Sequence, residues 1–435
     1  MTECKQIEWA FPSVKSRKVR ADFRGGAITS HGGVLLLRQA DRKLGLTREV
    51  ARFISDKRVA GKVEHSTESL LRQRVYAIAC GEEDLNDHHQ LRKDLAFQTA
   101  TDRIADLASP STLCRFENEM DREVMVTVNE LFVEQFIASY EKPPEEIILD
   151  FDATDDRVHG NQEGRFFHGY YRNYCFLPLY VFSGSQLLCA YLRPSKIDAA
   201  KHAWAILSLL VKRLRQAWPE VRIIFRGDSG FCRWRILRWC DKKGVDYVIG
   251  LAKNNRLRGL GEKLTEAAEE RFEETGQKQR LFGEFRYAAD TWDKKRRVIM
   301  KAEHGALGGN PRFIVTSLSG DPQHLYDQMY CARGDMENRI KEQQLDLYAD
   351  RTSCHAWWPN QFRLLLSSMA YILFDTIRRL GLKGTQLAQA TCGTIRLKLI
   401  RIGAVVFRNT RQIRFHLSSA HSDQELFGLL VKRLE

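Results

Sequence analysis

The segment 146–154, Glu-Ile-Ile-Leu-Asp-Phe-Asp-Ala-Thr, decides the fold that the sequence predicts. It is an apolar, strand-like run that ends in Asp150 and Asp152, two carboxylates on the same face of a strand. A second such run, 221–230, reaches Asp228 and then turns. Because ligands bind at the carboxyl ends of parallel strands, we expect these two strands to present acidic side chains at one edge of a sheet.

The order of elements after residue 144 is typical of an α/β fold. Strand and helix periodicity predict the order βββαβαβ, with segments at 147–153, 173–182, 186–192, 198–218, 222–225, 234–242 and 245–251. We therefore predict a ribonuclease H-like catalytic core, in which an antiparallel hairpin sheet is extended by parallel strands with crossover helices.

The chain has 435 residues, which is too long for one ordinary core, and we divide it into five regions. Residues 1–143 are predicted to be mainly helical. The catalytic core occupies 144–254 and resumes at 326–382, and a β-rich insertion over 255–325 separates its two parts. Residues 383–435 form a basic C-terminal region that we expect to be helical.

Composition and charge indicate a globular protein with a polyanionic partner. Hydrophobic residues make up 43% of the chain and charged residues 28%, and 68 Lys and Arg against 55 Asp and Glu give a net charge of +13. This charge favours nucleic acid as the partner. The ten cysteines form no Cys-x-x-Cys pair, which argues against a zinc site and fits a reducing cytosol. Without an apolar signal or membrane-spanning segment, we expect a cytoplasmic protein with no membrane partner.

A helical segment at 330–347 places polar side chains on one face. At 100° per residue, an arc of roughly 80° holds Tyr330, Arg333, Glu337, Lys341 and Gln344. A Glu flanked by cations on a helix is most often part of a solvated face with i,i+4 ion pairs. The two aspartates upstream favour a functional role instead, because a strand Asp, a strand-end Asp and a helix Glu, in that order, suit a two-metal phosphoryl-transfer site.

Three carboxylates are the candidate metal ligands: Asp152, Asp228 and Glu337. Two Mg²⁺ ions about 4 Å apart activate a nucleophilic oxygen, stabilise the leaving oxygen and neutralise the phosphoryl group, and carboxylates are their natural ligands. Asp150 is the weaker candidate on the first strand, either an alternative ligand or a side chain that supports a ligand. Taken singly, either strand-end Asp is also explained as a helix cap or a turn residue.

Longer motifs resemble the DDE transposases of bacterial insertion sequences, in the class with a β-rich insertion and a Tyr-x2-Arg-x3-Glu-x6-Lys signature. Tyr330, Arg333 and Glu337 match that signature in spacing. Gln344 stands where the signature has its final Lys, and Lys341, one turn earlier on the same face, is the cation that would substitute. The stretches that look like one branch of the family are 71–87, 149–156, 159–164, 226–231 and 332–342.

This resemblance implies a function and roles for the site residues. Asp152, Asp228 and Glu337 would be the catalytic triad and hold two Mg²⁺ ions per site, with Mn²⁺ able to substitute. Tyr330 and Arg333 would contact phosphates of the element's terminal DNA. The protein would bind terminal inverted repeats of double-stranded DNA through its helical first region. It would cut the element ends and join the 3′-hydroxyls to target DNA, as a homodimer in a synaptic complex associated with the bacterial nucleoid.

Three further residues are candidate DNA contacts. Lys253 and Arg256 follow the last core strand and would bind backbone phosphates, although a solvated loop explains them equally well. Trp292, in the insertion, would stack on an unpaired base near the cleavage site. Packing is the commoner role of a Trp in a strand.

Two alternatives to a transposase remain open. A nuclease of the related fold would cleave DNA without rejoining it, and a catalytically inactive descendant would only bind DNA. The inserted β-rich region argues against the first alternative, since a minimal nuclease lacks it. The three intact carboxylates argue against the second.

Overall fold

The computed structural model describes residues 8–435. Its strands are β1 Trp9–Val14, β2 Arg17–Ala21, β3 Ile28–Thr29, β4 Glu146–Ala153, β5 Asp156–Arg157, β6 Phe166–His168, β7 Asn173–Phe176, β8 Leu179–Ser183, β9 Gln186–Tyr191, β10 Arg222–Gly227, β11 Asp246–Leu251, β12 Gln279–Tyr287, β13 Arg296–Gly305, β14 Gly308–Gly309, β15 Arg312–Thr316, β16 Ala404–Arg408 and β17 Ile413–Leu417.

The helices of the same residues are α1 Val34–Leu44, α2 Leu46–Phe53, α3 Thr67–Cys80, α4 His88–Leu91, α5 Leu95–Ala100, α6 Pro110–Asn118, α7 Arg122–Ala138, α8 Ala203–Ala217, α9 Trp234–Lys243, α10 Asn255–Leu260, α11 Glu262–Thr275, α12 Pro322–His324, α13 Gly334–Lys341, α14 Trp357–Thr376, α15 Cys392–Ile395 and α16 Gln424–Leu434. Short 3₁₀ and π turns adjoin several of them. Within 8–435, none of the helices combines the length and the apolar character needed to cross a membrane.

A mixed sheet of nine strands lies at the centre of one part of the chain. Its order is β12-β13-β15-β11-β10-β4-β8-β9, with β14 paired to β13. β4, β10 and β11 are parallel, and β8 and β9 form an antiparallel hairpin beside β4. The predicted α/β class is confirmed. The elements of this sheet from β4 to β11 also follow in the predicted order, with α8 before β10 and α9 between β10 and β11.

The strands of the predicted insertion extend this same sheet. β15 pairs antiparallel with β11, and β13 and β12 follow outward. Without β15, the backbone N–H and C=O groups at the edge of β11 would lack hydrogen-bond partners, and the pairing with β15 supplies them. The alternating pattern predicts these strands but not the edge that they join, because alternation carries no information about the pairing partner.

The main hydrophobic core covers one face of the sheet. β4 and β10 contribute the buried residues Leu149, Phe151, Ile223 and Phe225. The rings of Phe151 and Phe225 meet edge to face, with centroids 5.0 Å apart. The same core contains the apolar stripe of α8, which consists of Ala203, Leu207, Leu210, Val211 and Leu214.

A smaller core covers the opposite face. It joins residues of β10, β11, β13 and β15 to Leu325 and Tyr326. These two residues begin a helical segment that runs from Leu325 to Asp346. The segment is therefore anchored on the sheet before the chain reaches Glu337.

The chain divides into two compact units. One comprises Arg48–Ser55 and Arg115–Asp375 and contains the nine-stranded sheet. The other comprises the chain up to Thr47, Asp56–Cys114 and Thr376–Glu435. In this second unit β16 pairs with both β17 and β3, so the C-terminal region that we expected to be helical contains two strands as well. The partner strand β3 lies near the start of the chain, which a local pattern cannot reveal.

Leu149→Ala should lower the free energy of unfolding by about 2–5 kcal/mol, because Leu149 is fully buried and its truncation leaves a cavity. Leu307→Ala makes the same chemical change at a completely exposed side chain and should change that free energy by less than about 0.5 kcal/mol. Urea denaturation followed by circular dichroism measures both values. Equal losses in the two variants would contradict the place of Leu149 in the core.

Candidate active site

Asp152 and Asp228 lie at the ends of two neighbouring parallel strands. In the pairing of β4 with β10, Phe151 is opposite Gly227, so the two aspartates are the next residues on their strands. The Oδ1 atom of Asp228 accepts a hydrogen bond of 2.8 Å from the backbone N–H of Gly230, which fixes the turn after β10. Both carboxylates are thus at the C-terminal edge of the parallel strands.

Glu337 lies on a helical segment whose pitch changes along its length. Leu325–Tyr330 is π-helical, Cys331–Arg333 is a 3₁₀ turn, α13 follows, and Glu342–Asp346 is again π-helical. The sequence pattern predicted a helical segment at 330–347 but did not predict these changes of pitch. The backbone carbonyl of Met329 accepts a hydrogen bond of 2.5 Å from the Arg226 side chain, and such an insertion into the hydrogen-bond ladder is a common cause of a π turn.

The Arg333 guanidinium bridges two of the candidate carboxylates. Its Nη1 lies 3.4 Å from Asp152 Oδ2, and its Nη2 lies 2.6 Å from Glu337 Oε1. The Arg333 side chain is 18% exposed, so both contacts are partly shielded from water. The structure therefore brings Asp152 and Glu337 to opposite sides of one cation, although they are far apart in sequence.

The surroundings of Asp152 disfavour the ionised form of its carboxyl group. Its pKa is raised to about 7, chiefly by burial and also by the neighbouring Asp228 and Glu337, while Arg333 acts in the opposite direction. Like charges near a buried carboxyl group disfavour its ionised form. A carboxylate that burial and like charges destabilise favours a site that binds a cation or exchanges a proton.

Asp150 has a different environment from Asp152. The side chain of Arg226, directly opposite on β10, donates hydrogen bonds to both of its oxygens, one of them 2.7 Å long, and the pair is buried. Since both oxygens already accept from Arg226, Asp150 is suited to a supporting role and not to that of a ligand. Arg226 also binds the Met329 carbonyl, which ties the Glu337 segment to the two strands.

Gly250 is a residue of this site that the sequence analysis missed. It lies within β11, and a Cβ atom at this position would come 2.6 Å from the Tyr330 hydroxyl and 2.8 Å from the backbone nitrogen of Ser229. The glycine therefore allows both the Tyr330 side chain and the turn after Asp228 to approach the strand. A lone glycine in an otherwise apolar strand was the signal that could have identified it.

Two polar residues predicted on the Glu337 face have different surroundings. Lys341 is exposed. The side-chain amide of Gln344 instead donates hydrogen bonds of 3.1 Å to the backbone carbonyl of Asp155 and to Asp156 Oδ1. Gln344 thus fixes the loop that follows Asp152, and the roles of both residues in DNA binding stay predictions.

The other predicted DNA contacts lie around the end of β11 and the start of β13. Lys253 is exposed two residues after β11. Arg256 lies 3.6 Å from Asp290 and over the ring of Tyr287. The Trp292 ring packs edge to face against Tyr287 and lies under the guanidinium of Arg296. It is partly buried, which agrees with a role in packing. Its stacking on a base stays a prediction.

Tyr171 is a second neighbour of the carboxylates that the sequence did not single out. Burial raises the pKa of its hydroxyl to about 12, and the charges of Asp155, Asp152 and Asp228 contribute to that rise. Tyr171 lies in the turn between β6 and β7, and this hairpin is joined through β5 to the loop that follows Asp152. Only the glycine-containing, aromatic composition of the loop could have drawn attention to it.

The donor set suits a divalent cation by its chemistry. Asp152, Asp228 and Glu337 supply hard oxygen ligands, and a bound cation would stabilise the ionised form of Asp152, which burial and the two neighbouring carboxylates disfavour. Across residues 8–435, however, no three His, Cys, Asp and Glu side chains are already arranged as a metal site. In this arrangement Arg333, and not a third ligand, lies between Asp152 and Glu337.

Comparison with known proteins identifies the family. The family model described as transposase DDE domain group 1 matches residues 11–435. Among solved structures, the chain is similar to the cryo-EM structure of a piggyBac transposase synaptic complex with hairpin DNA, with 11% identity, coverage of 93% of this chain and 82% of that chain, and a TM-score of 0.42. No curated protein matches the chain.

The chain belongs to the transposase DDE domain group 1 family, which spans nearly its whole length. It is accordingly a transposase of the DDE class, as the sequence motifs predicted. Enzymes of this class are polynucleotidyl transferases or endonucleases that depend on divalent metal ions. The carboxylate edge described above is the candidate for that chemistry.

Asp152→Asn should stabilise the metal-free protein at pH 8. In the folded chain the pKa of Asp152 is about 7, above its ordinary value of 3.8. The folded protein therefore loses stability as the pH rises from about 4 to 7, and the loss remains at higher pH. The gain should be about 1–4 kcal/mol at pH 8 and close to zero at pH 4. Denaturant unfolding in the presence of a chelator measures it. Asp290→Asn, at a fully exposed carboxylate, is the control, and a loss of stability in Asp152→Asn at pH 8 would contradict the electrostatic account.

Gly250→Ala should lower the free energy of unfolding by about 1–3 kcal/mol, because the added methyl group overlaps Tyr330 and the turn after Asp228. Gly259→Ala is the matched control, since a Cβ atom there meets no other atom within 4 Å and the residue lies in α10. The control should be neutral or stabilising by up to about 1 kcal/mol. Thermal and urea unfolding compare the two variants, and an unchanged Gly250→Ala protein would rule out the close approach.

Proposed function

We propose that this transposase binds the terminal inverted repeats of a bacterial insertion sequence, cuts the element ends and joins the freed 3′-hydroxyls to target DNA. The observation that carries the proposal is that Arg333 pairs with both Asp152 and Glu337, while Asp228 ends the strand next to that of Asp152. These carboxylates come from two strand ends and one helix, in the order that two-metal phosphoryl transfer needs. The roles implied by the family motifs fall on the same three residues.

The topology of the sheet supports a ribonuclease H-like core. The sheet order is β9-β8-β4-β10-β11, so an antiparallel hairpin lies next to three parallel strands, which agrees with the predicted hairpin sheet extended by parallel strands. The carboxylates lie at the C-terminal edge of the parallel strands, where α/β sheets bind their ligands. The domain boundaries predicted from the sequence stay part of this proposal.

Asp152, Asp228 and Glu337 would hold two Mg²⁺ ions, which would activate the attacking oxygen and stabilise the leaving oxygen. The protein itself contributes the positions of these groups. Asp228 is held by the Gly230 amide, and the segment that carries Glu337 is held by Arg226 through the Met329 carbonyl. Arg333, which neutralises Asp152 and Glu337 in this structure, would contact a phosphate of the terminal DNA together with Tyr330.

The net charge of +13 supports double-stranded DNA as the partner, for both the element ends and the target. Lys253 and Lys341 are exposed, Lys253 just beyond the end of β11 and Lys341 on the helix of Glu337, where they would contact backbone phosphates. From the family resemblance we also propose a homodimer in the synaptic complex. Recognition of the repeats is assigned to the helical first region.

The test is a Mg²⁺-dependent assay on DNA that carries the element's own ends, with a target plasmid present. Wild type should nick at the repeat boundary and join the ends to the plasmid. Asp228→Asn and Glu337→Gln should each lower cleavage by more than about a hundredfold, because each removes a ligand, while gel-shift binding to the ends stays nearly unchanged. Glu273→Gln, at an exposed position on α11, is the control and should cleave like wild type.

The outcomes separate the alternatives. Cleavage at the repeat boundary without joining to the plasmid would indicate the nuclease. Specific binding of the ends without cleavage by wild type would indicate the inactive DNA-binding descendant. Normal cleavage by Glu337→Gln would remove Glu337 from the catalytic triad.

A further inference from the structure

The hairpin formed by β6, β7 and the turn between them carries aromatic side chains that the protein interior does not use. We call residues 166–176 the aromatic hairpin. The exposed fraction is 84% for Tyr170, 57% for Phe167 and 48% for Tyr174. The rings of Phe167 and Tyr174 meet edge to face across the hairpin, with centroids 5.6 Å apart. Large aromatic side chains grouped at the surface mark a binding site more often than scattered ones do.

Cations accompany these rings. The guanidinium of Arg165 lies 4.5 Å from the centre of the Tyr174 ring, and the ammonium of Lys196 lies 5.4 Å from that of Phe166. Arg172, in the turn, is exposed. The sequence from Arg165 to Phe176 contains no Asp or Glu. The surface therefore offers flat apolar faces together with positive charge, which suits a ligand that is both aromatic and anionic.

The aromatic hairpin is joined to the loop that leaves the catalytic edge. β5, which begins four residues after Asp152, pairs with β7, and the side chain of Asn173 donates a hydrogen bond of 3.2 Å to Asp155. On the other strand of the hairpin, the Ser195 hydroxyl donates a hydrogen bond of 2.8 Å to the Phe166 carbonyl. The charges of Asp152 and Asp228 reach the hydroxyl of Tyr171, at the tip of the hairpin. A ligand held here would therefore lie beside the loop that follows Asp152.

We infer that the aromatic hairpin binds unpaired nucleotides of the DNA beside the scissile phosphate, by stacking bases on Phe167, Tyr170 and Tyr174 while Arg165, Arg172 and Lys196 contact phosphates. This inference rests on the proposed DNA cleavage at Asp152, Asp228 and Glu337. Cations alone would suffice to bind an intact duplex through its phosphates, because neighbouring bases cover the faces of each base. Exposed aromatic rings can stack only on bases that have left the duplex stack. Trp292, the residue predicted from sequence for this role, has its ring packed against Tyr287 and Arg296.

The test measures DNA binding without catalysis. Full-length protein is titrated, in the presence of a chelator, into a fluorescein-labelled thymidine oligonucleotide and into a blunt duplex of equal length, and anisotropy gives both dissociation constants. Tyr170→Ala should weaken single-strand binding about tenfold and change duplex binding by less than about twofold, because it removes one stacking surface and no charge. Tyr170→Phe should bind like wild type, since it keeps the ring.

The control is Trp204→Ala, which removes a half-exposed aromatic side chain of α8 that is not part of the aromatic hairpin, and it should leave both constants unchanged. Because Tyr170 is exposed, its substitution should not affect folding, and circular dichroism checks this. The double variant Phe167→Ala/Tyr174→Ala provides a second measurement on the other two rings, with the same loss expected.

Three results would overturn the inference: no single-strand binding by wild type, unchanged binding by Tyr170→Ala and by the double variant, or an equal loss on single strand and duplex. Loss on the single strand alone would support it. Because the measurement contains no metal and no cleavage, it is independent of the test of the proposed function. A wild type that fails to cut element ends would refute that function, whereas a wild type that cuts while Tyr170→Ala keeps full single-strand binding would refute only the role of the hairpin.

Discussion

The buried ion pair between Asp150 and Arg226 is the interaction on which the catalytic edge depends. Its side chains are only 3% and 8% exposed, so removing either partner would leave a buried charge uncompensated, at a cost of about 3–5 kcal/mol. Arg226 also donates to the Met329 carbonyl. One guanidinium therefore joins β4, β10 and the helical segment that leads to Glu337. Each of these three elements carries, within a few residues, one of the candidate carboxylates.

That connection holds together a group of side chains that would otherwise repel each other. Asp152 is destabilised by burial and by Asp228 and Glu337, and Arg333 offsets part of this charge. Such an arrangement lowers the stability of the fold, and it is retained only when other interactions offset the loss and function requires it. The hydrophobic cores on both faces of the sheet provide the offsetting stability. The excess of negative charge is then available to bind cations, as expected of an enzyme whose family depends on divalent metal ions.

The sequence predicted the α/β class, the order of the elements from β4 to β11 and the elements that carry Asp152, Asp228 and Glu337, because strand ends and helical faces are local patterns. It did not predict contacts that depend on distant pairing. The insertion strands join the edge of β11, and β16 pairs with β3, and neither partner is encoded locally. Gly250 was missed for a related reason, since its importance arises only when Tyr330 and the turn after Asp228 converge on it.

The contacts of Gln344 give this residue a structural role at the same edge. Its amide donates to the Asp155 carbonyl and to Asp156, whose pKa burial raises well above its ordinary value. A neutral amide donates to this buried carboxyl group without adding charge, whereas a lysine would bring a charge into the interior. Because β5 continues from this loop into the pairing with β7, Gln344 links the helix of Glu337 to the aromatic hairpin. Gln344 therefore fixes the loop that joins the aromatic hairpin to β4 relative to the helix that carries Glu337.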